Sequence, residues 1–234
     1  MRLLVSVTDA SEARVAVEAG VDVVDVKNPA EGSLGAPAPG VIERVREVVP
    51  AERPVSAAIG DLPGLPGTAA LAAVGAARCG AAYVKVGLYG TPTVEAAVAV
   101  LRAVRDAVDC SAVVIAAAYA DAKRVPAGPL PPEAVVEAAR RADVGGCLLD
   151  TAVKDGRGLF EWLSPEALRA LVAEGHAAGL DVALAGGLRA EELSLVQETG
   201  ADIAGVRGAA CRDGSRTAPL DAARIRQLRV ECEG

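Results

Sequence analysis

Lysine is scarce in this chain. Of 24 basic residues only four are lysine, at positions 27, 85, 123 and 154, and the other 20 are arginine. Lysine can do what arginine cannot, namely lose its proton near neutrality and attack a carbonyl. Desolvation or a second nearby ammonium brings the amine into that range. All four fall at, or just after, segments that read as β-strands. In Asp22-Val-Val-Asp-Val-Lys-Asn-Pro, side chains alternate, so Asp25 and Lys27 share one face while Val24 and Val26 take the other. An acid and an amine thus meet at a strand end, below a Gly/Pro-rich loop able to close over them. The plain alternative is a structural salt bridge. Lys85, in Tyr83-Val-Lys-Val-Gly-Leu-Tyr-Gly, shares its face with Tyr83, and Lys154 follows Asp150 by four residues in Leu149-Asp-Thr-Ala-Val-Lys-Asp-Gly. Lys27, Lys85 and Lys154 are candidates for one common site. A surface lysine is the alternative for each of them, and the stronger reading for Lys123.

Elements that would position these residues alternate along the whole chain. Strand-like runs cover residues 3–7, 22–26, 54–59, 82–86, 112–117, 145–149, 181–185 and 202–206. Helix-like runs cover 11–19, 40–48, 68–79, 93–108, 132–141, 165–178, 190–199 and 220–228, several opening on Ser, Thr or Pro. Eight β/α units in 234 residues predict an α/β fold, a single (β/α)8 TIM barrel spanning residues 1–234. An open doubly wound sheet is the runner-up. In such a barrel the chemistry lies at the C-terminal ends of the strands. Three of the loops there are long, at 28–39, 60–68 and 121–132. The loops after the last two strands carry Leu184-Ala-Gly-Gly-Leu and Gly205-Val-Arg-Gly-Ala-Ala. Gly186, Gly187 and Gly208 are candidate phosphate ligands through backbone N–H groups, with Arg207 as a charged fork; tight turns alone are the alternative.

Composition narrows the classes. Hydrophobic residues make up 52% but aromatics only 2%, so the core is Ala, Val and Leu, which suits parallel strands covered by helices. Few aromatics and a net charge of −7 argue against a nucleic-acid binder. Five cysteines, an odd count without a C-x-x-C pair, fit a reduced compartment. No signal peptide or membrane-length apolar run is visible, so a cytoplasmic protein without membrane partner is expected. His176 is the only histidine, which argues against a histidine zinc site or a Ser-His-Asp triad. Homo-oligomerisation stays open.

Several runs together carry a family resemblance. They are Asp25-Val-Lys-Asn-Pro with Glu31-Gly-Ser-Leu-Gly, Leu65-Pro-Gly-Thr, Tyr83-Val-Lys-Val-Gly-Leu-Tyr-Gly, Tyr119-Ala-Asp, Leu149-Asp-Thr-Ala-Val-Lys-Asp-Gly and Gly205-Val-Arg-Gly-Ala-Ala-Cys. Over nearly the whole chain this resembles the (5-formylfuran-3-yl)methyl phosphate synthase family of methanofuran biosynthesis, similar to class I aldolases in fold. The resemblance implies that two glyceraldehyde 3-phosphate molecules condense into 4-(hydroxymethyl)-2-furancarboxaldehyde phosphate, with loss of phosphate and water. It implies Lys27 as the Schiff-base lysine and Lys85 as the proton acceptor. Asp25, Asp150 and Lys154 fall in its other polar motifs, and Lys123 matches no family role. The partner expected is a small phosphorylated triose. No metal or organic cofactor is required by a lysine carbonyl chemistry. Two alternatives remain at the level of sequence: another Schiff-base aldolase acting on phosphorylated sugars, or a non-catalytic phosphosugar-binding barrel.

Overall fold

A computed structural model of the chain describes every residue except Pro63, Ala127 and Gly234. Eight parallel strands close into a barrel in strict sequence order. They are β1 (Arg2–Val7), β2 (Val23–Val26), β3 (Val55–Asp61), β4 (Tyr83–Gly87), β5 (Val113–Tyr119), β6 (Gly146–Asp150), β7 (Asp181–Leu184) and β8 (Ile203–Val206), with β8 pairing back onto β1. The helices are α1 (Ala10–Glu18), α2 (Pro39–Val48), α3 (Pro66–Arg78), α4 (Val94–Val108), α5 (Val135–Ala142), α6 (Pro165–Ala177), α7 (Leu193–Glu198) and α8 (Ala222–Glu233). Among the described residues no helix is long and apolar enough to cross a membrane.

Local chemistry sets the helix starts. Asp9 accepts from Glu12 N, Thr93 from Ala96 N and Ser164 from Ala167 N, each satisfying a first-turn donor that has no partner inside the helix. Pro39, Pro66 and Pro165 occupy first turns, where the missing N–H costs nothing.

Two apolar layers result. The larger lies between strands and helices and holds Val24, Val26, Val84, Val86, Cys147 and Leu149, the outward members of each alternation. The smaller fills part of the barrel interior with Ala58, Ile115, Ala117, Tyr119, Leu148 and Ala185, capped by the buried Leu34 from the loop after β2. Three of these inward side chains are alanines. The interior therefore keeps an open cavity of about 390 Å³ that reaches the C-terminal mouth.

Most sequence-derived boundaries shift by a few residues at one end or the other, and three of the differences bear on the loops at the mouth. β3 runs on to Asp61, because Gly60 at φ 87° lets the strand bend through a register shift instead of ending. The 60–68 loop is correspondingly short, and Pro63 within it lies outside the described residues. The helix expected at 220–228 opens later and runs to Glu233, since Asp221 caps it by accepting from Ala223 N at 2.8 Å. The loop at 121–132 carries a 3-10 turn over Ala122–Arg124, and Ala127 lies outside the described residues.

Candidate active site

β2 delivers Asp25 and Lys27 to the interior, as the alternation requires, and both line the cavity. Asp25 is fully buried and accepts from Ser6 Oγ at 2.9 Å. Its charge partner is Lys85 on β4, whose Nζ lies 2.6 Å from Asp25 Oδ1. The approach is close but off the hydrogen-bonding angle, so it acts as an ion pair. The two strands are not neighbours. Lys85 spans β3, where the inward residues are Ser56 and Ala58, in register with Asp25 and Lys85 respectively. Larger side chains there would block the contact. The Asp25–Lys27 salt bridge expected as the plain alternative is therefore not what forms.

A second ion pair faces the first. Asp150 ends β6, and Lys154 curls back one turn to place Nζ 2.6 Å from Asp150 Oδ1 and 3.0 Å from Thr151 Oγ1. Asp150 Oδ1 also accepts from Thr151 N at 2.7 Å. The turn is held from beneath by Asp121, just past β5, whose two carboxylate oxygens accept from Ala152 N at 2.7 Å and Val153 N at 2.8 Å. Although buried, Asp150 is held well below the usual carboxylate range by Lys154, Lys27 and its hydrogen bonds.

Lys27 sits between the two pairs and belongs to neither. Its backbone N–H stays in the ladder, donating to Val7 O at 3.1 Å, while among the described residues its ammonium has no hydrogen-bond or ion-pair partner. It is 8% exposed. Burial lowers its pKa to about 8; Asp150 and Asp25 oppose this, Lys85 and Lys154 reinforce it. Of the three lysines at the mouth, two are tied to carboxylates and one is a free amine close to neutrality. Lys123 is exposed on the 3-10 turn and does not join them.

A further polar pair borders the site. Asp61, brought inward by the bend at Gly60, accepts from Tyr119 OH at 2.5 Å. Burial raises both groups, the phenol strongly. A Cβ on Gly87 would lie 2.0 Å from Asp61 Oδ1, so any larger residue there would displace that carboxylate from Tyr119. The loop after β2 is closed rather than open. Asn28 N donates to Gly35 O at 2.9 Å, and a Cβ on Gly35 would lie 2.1 Å from Asn28 O.

The loops after β7 and β8 meet over the cavity. Gly186, Gly187, Gly208 and Ala209 all line it, and among the described residues their backbone N–H groups donate to no acceptor of the chain. Such a nest of donors suits an anion. Arg207 behaves differently from the expected fork. Nε donates to Arg216 O at 2.9 Å, Nη1 to Ser6 O at 3.0 Å and to the Glu12 carboxylate, and Nη2 to Glu12 Oε1 at 3.1 Å and Ala218 O at 3.3 Å. All five donors are used inside the chain, so this guanidinium is a strut between α1, β1 and the loop after β8. Its carboxylate partner lies 195 residues away, beyond any local pattern. At the outer rim Arg157 lies 4.6 Å and Arg124 5.5 Å from the ring centre of Trp162, and both pair with Asp155.

Sequence reasoning passed over Asp61, Asp121 and Arg216. Only Asp121 left a signal, as the last residue of the Tyr119-Ala-Asp run.

A family model described as 4-HFC-P synthase matches residues 3–229. The chain belongs to the 4-HFC-P synthase family. Among its relatives, the (5-formylfuran-3-yl)methyl phosphate synthase of Methanopyrus kandleri is 52% identical over 92% of this chain and 91% of its own. The synthase of the same name from Methanocaldococcus jannaschii is 48% identical over the full length of both. Membership makes the fold an enzyme scaffold of furan biosynthesis. Among solved structures, 3-hexulose-6-phosphate synthase from Salmonella typhimurium aligns with a TM-score of 0.66 at 18% identity, covering 99% of this chain and 100% of that one. Phosphoribosyl anthranilate isomerase from Thermus thermophilus aligns at 0.61 and 19%, covering 100% and 98%. At that identity these likenesses speak for the barrel alone.

Proposed function

We propose that the protein is a (5-formylfuran-3-yl)methyl phosphate synthase that condenses two molecules of glyceraldehyde 3-phosphate through a Schiff base on Lys27. The observation that carries this is the free, buried Lys27 amine, lowered to about 8 and set between two carboxylate–lysine pairs. Neutral Lys27 attacks the triose aldehyde to give a carbinolamine. Lys85, paired with Asp25, donates a proton to the departing hydroxyl, which leaves as water. The iminium then acidifies the adjacent carbon, and Lys85, having given up its proton to that water, accepts the one released from the carbon. Positioned proton transfers of this kind contribute about 10²–10⁴-fold. The resulting enamine attacks the second aldehyde, and loss of one phosphate and of two waters closes and aromatises the ring. One water hydrolyses the iminium to release the aldehyde and the free Lys27 amine, for a net loss of one phosphate and two waters. Asp150 and Lys154 hold charge opposite the developing iminium. The N–H nest around Gly186, Gly187, Gly208 and Ala209 suits a substrate phosphate. No metal or organic cofactor enters the scheme, the partner is the small phosphorylated triose, and the cytoplasm supplies it.

Incubation with glyceraldehyde 3-phosphate, followed by ultraviolet and mass detection of a phosphorylated furan, tests the reaction. Borohydride reduction during turnover and peptide mapping test the residue. An adduct on the Lys85 peptide with Lys27 unmodified overturns the assignment.

A further inference from the structure

Four arginines line the cavity: Arg157, Arg189, Arg207 and Arg216. Three are neutralised by carboxylates of the chain. Arg157 pairs with Asp155, Arg189 with Glu161, Glu191 and Glu192, and Arg207 with Glu12. Among the described residues Arg216 has no carboxylate within ion-pair distance, and the one hydrogen bond of its side chain is from Nη2 to Gly32 O at 3.3 Å. It is nevertheless partly buried. Burial lowers it, Asp150 opposes this and Arg207 adds to it. A half-buried guanidinium without a counter-ion, facing a cavity, is a site for an anion.

Its surroundings say where that anion sits. The segment bearing Arg216 lies directly on the backbone nest, since a Cβ on Gly208 would come within 3.0 Å of Gly214 O and 4.0 Å of Arg216 N. Arg207 fixes that segment by donating to Arg216 O. From there the Arg216 side chain crosses the mouth to the loop that follows Lys27. Backbone donors lie on one side and a planar fork on the other, a pairing that matches the several oxygens of a phosphate monoester.

The geometry points to Arg216 as the residue whose guanidinium binds the substrate phosphate, with Arg207 as the strut that positions it. This rests on the triose-phosphate reading above for the identity of the substrate. On binding, Arg216 exchanges its long contact with Gly32 O for phosphate oxygens. The loops after β2 and β8 are then bridged through the ligand.

The test uses the full chain and glycerol 3-phosphate, which carries the phosphate but has no aldehyde for imine formation. Calorimetric titration is expected to show binding by the wild type, weakened about 10- to 100-fold in Arg216→Gln. Arg216→Lys, which keeps the charge but not the fork, falls between them. Trapping of unphosphorylated glyceraldehyde on Lys27 by borohydride is expected to be equal in wild type and Arg216→Gln. Glycerol 3-phosphate binding by Arg216→Gln within twofold of wild type, or none by the wild type, overturns the proposal. Should Arg216→Gln not fold, Arg216→Lys decides, and binding equal to wild type overturns it. If phosphate binding depends on Arg216 but glyceraldehyde 3-phosphate gives neither adduct nor furan, the anion site stands and the reading of the reaction falls.

Discussion

Two carboxylate–lysine pairs flank Lys27, and they are built in opposite ways. Asp25–Lys85 joins side chains from two barrel strands across a third and is almost wholly buried, at 0% and 6% side-chain exposure. Asp150–Lys154 is a local turn, four residues apart, with Lys154 at 20%. The first is placed by strand register and by small residues on β3, so the fold itself enforces it. The second is placed by a loop and needs Asp121 to hold the turn. A rigid pair suits a proton that must leave and return at one point. A turn at the rim suits charge that must adjust as intermediates change shape.

The largest effect is expected from the amine between the pairs. Lys27→Arg keeps charge and size but stays protonated, so furan formation falls to background and borohydride traps no adduct. Furan production by that variant contradicts the covalent role. Next comes stability. Asp25→Asn strands the Lys85 ammonium in the interior and is expected to cost about 3–5 kcal/mol in urea unfolding. Asp150→Asn is expected to cost less, roughly 1–2 kcal/mol, because Lys154 reaches solvent. Equal losses would erase the distinction between the pairs.

The pairs also differ in how they tune Lys27. Adduct formation should rise with pH through about 8 as the amine loses its proton. Asp150 is the larger of the two carboxylate influences that raise Lys27. Asp150→Asn should therefore move the profile to lower pH, and Asp25→Asn should move it less. The same shift bears on folding. Folded Lys27 releases its proton near 8 and the unfolded chain only near 10.5, so wild-type stability should climb between those values, the burial cost being fully present below 8. Lys27→Met lacks that climb and should be more stable than wild type at pH 7, by on the order of 2–3 kcal/mol.

The smallest effect is expected at Asp121. Asp121→Ala frees the 150–154 turn and should lower kcat by about tenfold, with KM nearly unchanged. Combined with Lys154→Met it should add little, because both act through the same contact. Full additivity would separate Asp121 from Lys154.

Much of this was readable from residue order. Valine- and alanine-rich runs alternating with capped helices specified the barrel, and strand parity placed Asp25, Lys27 and Lys85 inside it. Partnership was not readable. Parity puts Asp25 and Lys27 on one face, but neighbouring inward positions of one strand diverge along it, whereas Lys85 reaches Asp25 sideways over Ser56 and Ala58. Arg207 misled for a related reason. It occupies the expected position after β8, yet Glu12 and Ser6 O from the far end of the chain, with two carbonyls of its own loop, consume its donors. Arg216 lies in an irregular segment without periodicity, and only the fold-back of the loop after β8 brings it over Gly208.

The tryptophan at the rim has a practical consequence. It is the only one in the chain, and Arg157, itself a cavity-lining residue, rests on its ring. Emission from Trp162 is thus an unlabelled optical signal from the wall of the site. Movement of the 150–158 loop alters the cation above the indole and with it the intensity and colour of that emission. Ligand arrival can be followed in real time on the native chain, without a coupled assay and before any bond is made.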